Sequence, residues 1–229
     1  MMDNAIGPYP LDCIITGDAR ESAEAIPDAS IDLIFTDPPY QRKYAYTFSD
    51  LASFAGRVLK DGGRLLTLLG QYQLYDVMTV LNTSLTYDWI IADAAFGKQA
   101  ALFQKRVWAC WKPCLVYRKG TITHRSNFAL DMFAEKPSQM TYAKTFHEWG
   151  QGAGFFAYYI DRWTLPGDII LDPFVGGGTV PAVCKILERH YLAFEIDPAT
   201  ADKARERVAN TLPLLDNGAE WITEAQLPL

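Results

Sequence analysis

Ile31-Asp32-Leu33-Ile34-Phe35-Thr36-Asp37-Pro38-Pro39-Tyr40 is the stretch whose reading decides how this chain folds. Ile31, Leu33, Ile34 and Phe35 suit a strand covered on both faces, as in the parallel sheets of α/β proteins. The second half cannot continue that strand. Pro38 and Pro39 have no backbone N–H to give to a ladder, and Pro39 drives Pro38 out of the helical region. The chain must therefore leave the sheet at Asp37 as a stiff, extended turn. Such a turn presents one carboxylate, unpaired carbonyls and the Tyr40 ring at the carboxyl edge of the sheet, where open α/β sheets bind ligands.

Upstream, residues 11–16 read as a short strand ending at Gly17-Asp18, and residues 19–26 have helical composition stopped by Pro27-Asp28. Strand, helix and strand within so few residues form a βαβ unit with neighbouring parallel strands. Residues 1–10 look like a loose lead-in, and residues 41–48 a loop without a clear period. Leu51, Phe54, Ala55, Val58 and Leu59 give a helix over 50–59. Asp61-Gly62-Gly63 ends it, and residues 64–69 make a third buried strand. Residues 74–81 suit a helix. Residues 89–96 and 115–117 read as strands antiparallel to each other, with a basic loop at 97–113 between them. Regular pattern is lost over 118–147, which reads as an insertion on the domain and not as part of its sheet. It returns as a helix over 155–163, a strand over 169–171, a helix over 180–188 with Pro181 in its first turn, a strand over 191–196 and an amphipathic helix over 199–210. The expected architecture is α/β, one domain over residues 1–229, with a mostly parallel sheet and an antiparallel hairpin at one edge.

Composition sets limits. The chain has 229 residues, 49 % apolar and 21 % charged, which suits a globular domain with a substantial core. No apolar run approaches the ~20 residues that span a bilayer, and the first residues lack the basic-then-apolar layout of a signal peptide. A soluble, cytoplasmic protein is expected, with no membrane partner. Cys13, Cys110, Cys114 and Cys184 are too scattered for a disulfide framework. No second Cys or His pair completes a tetrahedral site with Cys110 and Cys114, so no metal is expected. The net charge of −6 argues weakly against a nucleic-acid partner, but the distribution argues the other way. Between Ala94 and Leu130 there is no Asp or Glu, while Lys98, Lys105, Arg106, Lys112, Arg118, Lys119 and Arg125 all fall there. That is the footprint of a local phosphate-binding face.

A second constellation lies far along the chain. Asp172-Pro173-Phe174-Val175-Gly176-Gly177-Gly178-Thr179 joins a strand to a helix, and Glu195 closes the next strand. The glycines let the backbone approach a bound molecule, and the helix-start N–H groups face it. An acid at the end of the following strand is the arrangement that bonds ribose hydroxyls. The Lys-Ser/Thr of a phosphate loop is missing, and Asp172 would repel a pyrophosphate. Asp18, Asp37, Asp172 and Glu195 all stand at strand ends that converge on one cleft. An acidic cleft suits a cationic nucleoside without phosphate, and S-adenosylmethionine carries a sulfonium.

Asp37-Pro38-Pro39-Tyr40 together with residues 172–179 resembles the amino-methylating DNA methyltransferases, which act on N6 of adenine or N4 of cytosine. The order, catalytic motif first and cofactor loop last, resembles their circularly permuted β group. The resemblance implies a Rossmann-like S-adenosylmethionine-dependent methyltransferase fold. It implies catalytic roles for Asp37, Pro38, Pro39 and Tyr40. It implies that Asp18 meets the cofactor adenine, that Glu195 meets the ribose, that Asp197 also touches the cofactor, and that Asp172, Phe174, Gly176, Gly178 and Thr179 form the cofactor loop. His147-Glu148-Trp149-Gly150-Gln151 resembles the segment that closes over the methionine end, giving Trp149 and Gln151. Val175, Gly177 and Val180 depart from the family's usual residues but leave the glycine geometry intact.

The function implied is site-specific methylation of double-stranded DNA within restriction–modification, on adenine N6. The Asp before Pro-Pro-Tyr favours adenine over the alternative, cytosine N4, where Ser is commoner. Methylation of RNA or glutamine goes more often with Asn there. A catalytically idle DNA-binding or anti-restriction protein of the same fold is a further alternative. Lys98, Lys105, Arg106, Arg118, Lys119 and Arg125 are the candidate DNA contacts, and residues 118–147 the target-recognition insertion. An insertion that short suggests a short site or help from a homodimer.

Overall fold

The computed structural model describes residues 5–39, 46–94, 100–122, 128–134 and 153–211. Twelve strands and six helices are described. A small hairpin pairs β1 (Ala5–Ile6) with β2 (Tyr9–Pro10), so the lead-in has structure of its own. The main sheet holds eight strands in the order β10 (Met132–Ala134), β6 (Thr86–Ala94), β9 (Lys112–Arg118), β5 (Leu59–Leu68), β4 (Ile31–Thr36), β11 (Ile169–Asp172), β12 (His190–Glu195) and β3 (Cys13–Thr16). Every neighbouring pair is parallel except β5–β9 and β6–β9, so β9 alone runs against the rest.

Strand β4 lies inside this sheet, with Ile31, Leu33, Ile34 and Phe35 at most 1 % exposed. Alternation sends its side chains to two separate cores. Leu33 and Phe35 meet α4 (Ala153–Trp163), and the Phe35 ring lies 5.8 Å from Phe155 and 4.5 Å from Phe156. The helices α5 (Thr179–Ile186) and α6 (Pro198–Asn210) add Val180, Val183, Ala201 and Ala204 to that same core. On the other face Ile34 joins Leu51, Ala55 and Val58 of α2 (Tyr46–Val58) and Val77 and Leu81 of α3 (Leu74–Leu81). Emptying either core at a residue such as Phe35 or Leu51 costs about 3–5 kcal/mol. The short α1 (Ala19–Ser22) follows β3.

Three elements of the main sheet and its covering helices also differ from the sequence reading. Helix α2 begins at Tyr46, inside the expected loop. Strand β5 begins at Leu59 and runs through Asp61-Gly62-Gly63, which therefore stops no helix. Instead the pairing shifts register between Ile31–Leu59 and Leu33–Arg64, with Gly62 at φ +80°. A Cβ on Gly63 would sit 2.9 Å from the Lys60 carbonyl and 3.1 Å from that of Asp32, so glycine permits the bulge. Third, part of the segment read as an insertion is a sheet strand. β10 pairs parallel with β6 outside the expected hairpin, and Phe133 packs on Phe155 at 5.7 Å. Tyr159 donates from its hydroxyl to the Leu130 carbonyl (2.8 Å), which pins the approach to β10 onto α4. Three residues are too few to show a period. Among the described residues no helix is long and apolar enough to cross a membrane.

Candidate active site

Because β3, β12, β11, β4 and β5 run the same way, their carboxyl ends share one edge. Gly17-Asp18, Glu195, Asp172 and Asp37 are thereby delivered side by side. A cleft of about 360 Å³ opens there, within the range of small-molecule sites. Its lining includes Asp18, Asp37, Pro39, Phe174, Gly176 and Glu195. The turn after β4 and the loop after β11 thus form one cavity, although more than a hundred residues separate them. A larger hollow of about 760 Å³ lies at the opposite edge, beside Asp12, Lys185, His190 and Arg205. It is remote from the converging acids, and size alone does not make it the site.

Asp172 is 4 % exposed. One of its oxygens, Oδ1, accepts from Thr36 Oγ1 (2.8 Å) and from the Phe174 N–H (3.1 Å). Burial raises its pKa to about 7 against the pull of these two donors, and the nearby charges of Asp37 and Glu195 add to the rise. The loop then turns through Gly176 (φ +48°) and Gly178 (φ +77°). A Cβ on Gly178 would lie 3.0 Å from Ala204 Cα and Cβ, so the start of α5 can lie against α6 only with glycine there.

Glu195 accepts from the Gly176 N–H through Oε2 and from the Asp197 N–H through Oε1, both at 3.0 Å. Asp197 caps α6, accepting from the Thr200 N–H at 2.8 Å. The Thr179 hydroxyl accepts from Arg207 Nη1 at 2.8 Å. Asp197 and Thr179 therefore serve helix α6, and they do not line the cleft. Asp18 caps α1 and is ion-paired with Arg20, whose hydrogen bonds hold its carboxyl below the usual range. The Arg20 guanidinium stands 5.0 Å from the centre of the Tyr46 ring at the cleft wall.

Asp37 meets a partner that sequence reasoning did not single out for the site. Lys112 Nζ donates to Asp37 Oδ2 at 2.6 Å. Strand β9 enters the sheet at the carboxyl edge, so its first residue reaches the turn after β4. Surrounding protein pushes the Asp37 carboxyl up, while Lys112 pulls it down. The side chain nevertheless keeps 39 % of its surface in contact with solvent. Open water weakens desolvation, so Asp37 stands as a lysine-paired carboxylate.

The basic residues divide. Lys105 follows β7 (Ala100–Leu102) in a hairpin with β8 (Val107–Ala109), and Arg106 completes the turn in the left-handed region. This hairpin springs from the cleft edge, between the end of β6 and the start of β9. Arg118 ends β9 and Lys119 follows it, about 20 Å away at a ~3.3 Å rise per residue. Arg118 pairs with Asp88 (3.5 Å), and Lys119 Nζ donates to the Arg57 carbonyl (2.9 Å). Tyr40, Lys98, Arg125, Trp149 and Gln151 lie outside the described residues.

A family model for N6/N4 methyltransferases, described as DNA methylase, matches residues 153–206. That segment contains the glycine loop, Asp172 and Glu195. The type II methyltransferase M.HinfI of Haemophilus influenzae is 26 % identical over 93 % of this chain, which spans 72 % of that relative's length. M.BamHI of Bacillus amyloliquefaciens is 28 % identical over 90 % of the chain, which spans 59 % of its length. Among solved structures, the M1.HpyAVI–SAM complex superposes with a TM-score of 0.69 at 20 % identity, covering 86 % of this chain and 98 % of that one. Asp172, the glycine loop and Glu195 fall within the family-model match, and over most of its length the chain is similar to type II methyltransferases and shares the fold of a solved methyltransferase–SAM complex.

Proposed function

We propose that this chain transfers a methyl group from S-adenosylmethionine to the N6 amine of an adenine flipped out of double-stranded DNA, at a specific site. The observation that carries this is the single cleft shared by the Asp37 turn and the glycine loop. One motif suits an amine and the other a nucleoside. The cavity fits the cofactor's chemistry, since among the described residues its lining carries Asp18, Asp37 and Glu195, and its one basic side chain, Arg20, is ion-paired with Asp18. Glu195 would take the ribose hydroxyls, Asp18 the adenine, and the field of Asp172 would favour a positive charge. S-adenosylmethionine supplies, when bound, a methyl group made electrophilic by its sulfonium. The Asp37 turn precedes the cofactor loop in the chain, the order of the circularly permuted β group.

The chain's own residues handle the amine. The N6 lone pair of adenine is delocalised into the ring, so the nitrogen is a poor nucleophile. Asp37 Oδ1, with Oδ2 held by Lys112, accepts one N–H, and the Pro38 carbonyl accepts the other. Both bonds favour a pyramidal nitrogen whose lone pair points out of the ring plane. The lone pair so aimed would take the methyl group in line from the bound donor, whose sulfur would leave as a neutral thioether. The amine proton then passes to Asp37 and on to water. Positioning and electrostatics supply most of the rate. Lys112 is a positioning residue here, keeping the carboxylate ionised and aimed. Tyr40 would stack on the flipped base and offset part of its unstacking cost.

Incubation with radiolabelled S-adenosylmethionine and mixed-sequence duplex DNA tests the reading. Label should reach DNA, and hydrolysis to nucleosides should return N6-methyladenine; N4-methylcytosine would identify the other amine, and unlabelled DNA an idle module. Asp37→Ala should keep cofactor binding and lose at least about 100-fold in transfer. Equal activity in that variant would remove the mechanism.

A further inference from the structure

Ala100–Ala109 forms a two-stranded hairpin that pairs with no other described strand. Hairpins of this size are marginal in water unless a face is covered. Here the large side chains stay outside. Phe103 is 86 % and Trp108 67 % exposed. Trp108 is paired across the hairpin with Ala101, whose methyl group covers little of the indole. Aromatic residues left in water next to a catalytic cleft call for an occupant.

Charge selects the occupant. The turn between the strands carries Lys105 and Arg106, and no carboxylate lies between Ala94 and Leu130 in a chain of net charge −6. An apolar protein partner would find the aromatics but leave these cations unmatched, whereas DNA offers flat apolar bases flanked by phosphates. The position adds to this. The hairpin's foot runs into Lys112, which holds Asp37 at 2.6 Å. We infer that this hairpin is a wedge that enters the duplex beside the target base, with Phe103 and Trp108 stacking on bases exposed when the target leaves. Lys105 and Arg106 hold the adjoining phosphates. The inference rests on the DNA-methylation reading above and adds to it the residues that keep the duplex open. Aromatic stacking of this kind offsets unstacking in a sequence-tolerant way.

The test uses the full chain and Phe103→Ala, Trp108→Ala and the double variant. Each is assayed for label transfer to mixed-sequence duplex DNA and to the same DNA as denatured single strands. Single strands need no opening, so a wedge should matter much less there. The expected result is a 10- to 100-fold loss in kcat/KM on duplex per aromatic removed, a loss several-fold smaller on single strands, and unchanged S-adenosylmethionine affinity. Exposed positions should leave the melting temperature intact, and a thermal melt checks this. Equal losses on both substrates, or none on duplex, would overturn the wedge. A variant that changes oligomeric state on a sizing column would assign the hairpin to self-association and overturn it too. If the unaltered protein labels no DNA, the methyltransferase reading has failed before the hairpin is tested.

Discussion

Asp172→Asn should strengthen the fold and weaken the site, and the structure gives the size of the first effect. Both donors to Asp172, Thr36 Oγ1 and the Phe174 N–H, reach the same oxygen, Oδ1. An asparagine can present its carbonyl oxygen there, so both bonds survive while the charge goes. Burial raises the carboxyl from 3.8 to about 7. A rise of about three pH units at 1.36 kcal/mol each means that holding the charge in the fold costs on the order of 3–5 kcal/mol above pH 7. The sign follows from proton counting. Between pH 3.8 and about 7 the folded state binds more protons at this group than the unfolded chain. Stability therefore falls as pH rises through that window and is level above it. Urea melts of both proteins at pH 4.5 and pH 8 isolate the effect, because every other group titrates alike in the two. Their stabilities should nearly match at the lower pH, and the variant should gain several kcal/mol at the higher. Its affinity for S-adenosylmethionine at pH 8 should drop, with a smaller change for the uncharged S-adenosylhomocysteine. A stability difference that ignores pH would refute the buried-charge argument.

Lys112→Met should lower kcat by about tenfold or more while leaving cofactor affinity alone, since one charge-assisted contact to Asp37 is lost. Without that cation the Asp37 carboxyl rises, so the acid limb of the pH–rate profile should move to higher pH, and Lys112→Arg should restore part of both effects. Gly178→Ala adds a left-handed alanine and a 3.0 Å contact with Ala204, costing about 2–3 kcal/mol in chemical denaturation. Gly176→Ala meets open space and should cost about 1 kcal/mol; matching losses would contradict the close approach to α6. Removing Lys105 and Arg106 together should cut the salt slope of DNA binding by about 2. Arg118→Ala, at the far edge beside Asp88, should leave that slope unchanged.

The parts of this fold legible in the sequence were those specified by neighbouring residues. Ile31–Phe35 announced a strand covered on both faces, and Pro38-Pro39 announced where it had to stop. The glycines before Thr179 announced a tight strand-to-helix turn in the same local way, and Glu195 the end of the next strand. What escaped depended on distant pairing. Gly62 and Gly63 read as a helix stop, but they serve a register shift against Ile31 and Leu33. β10 exists because Phe133 finds Phe155, not because its three residues show a period. A count of positive charges could not tell Lys105 from Arg118. The antiparallel course of β9 sends the lysine that begins it to the cleft and the arginine that ends it to the other edge. The Lys112–Asp37 contact follows from that same register and could have been suspected only by placing the start of β9 opposite the end of β4.

Glu195 is held before any ligand arrives, with one oxygen on the Gly176 N–H and the other on the Asp197 N–H. A carboxylate has about four acceptor positions, so two remain to receive hydroxyl groups without breaking either bond. Its ordering entropy is thus spent during folding and is absent from each binding event. A glutamate free to rotate would add about 0.5–1.5 kcal/mol to every encounter, roughly a 2- to 10-fold loss of affinity. The glycine at 176 is then half of a brace as well as a space for the ligand, because its N–H stiffens the acid that the ribose would meet.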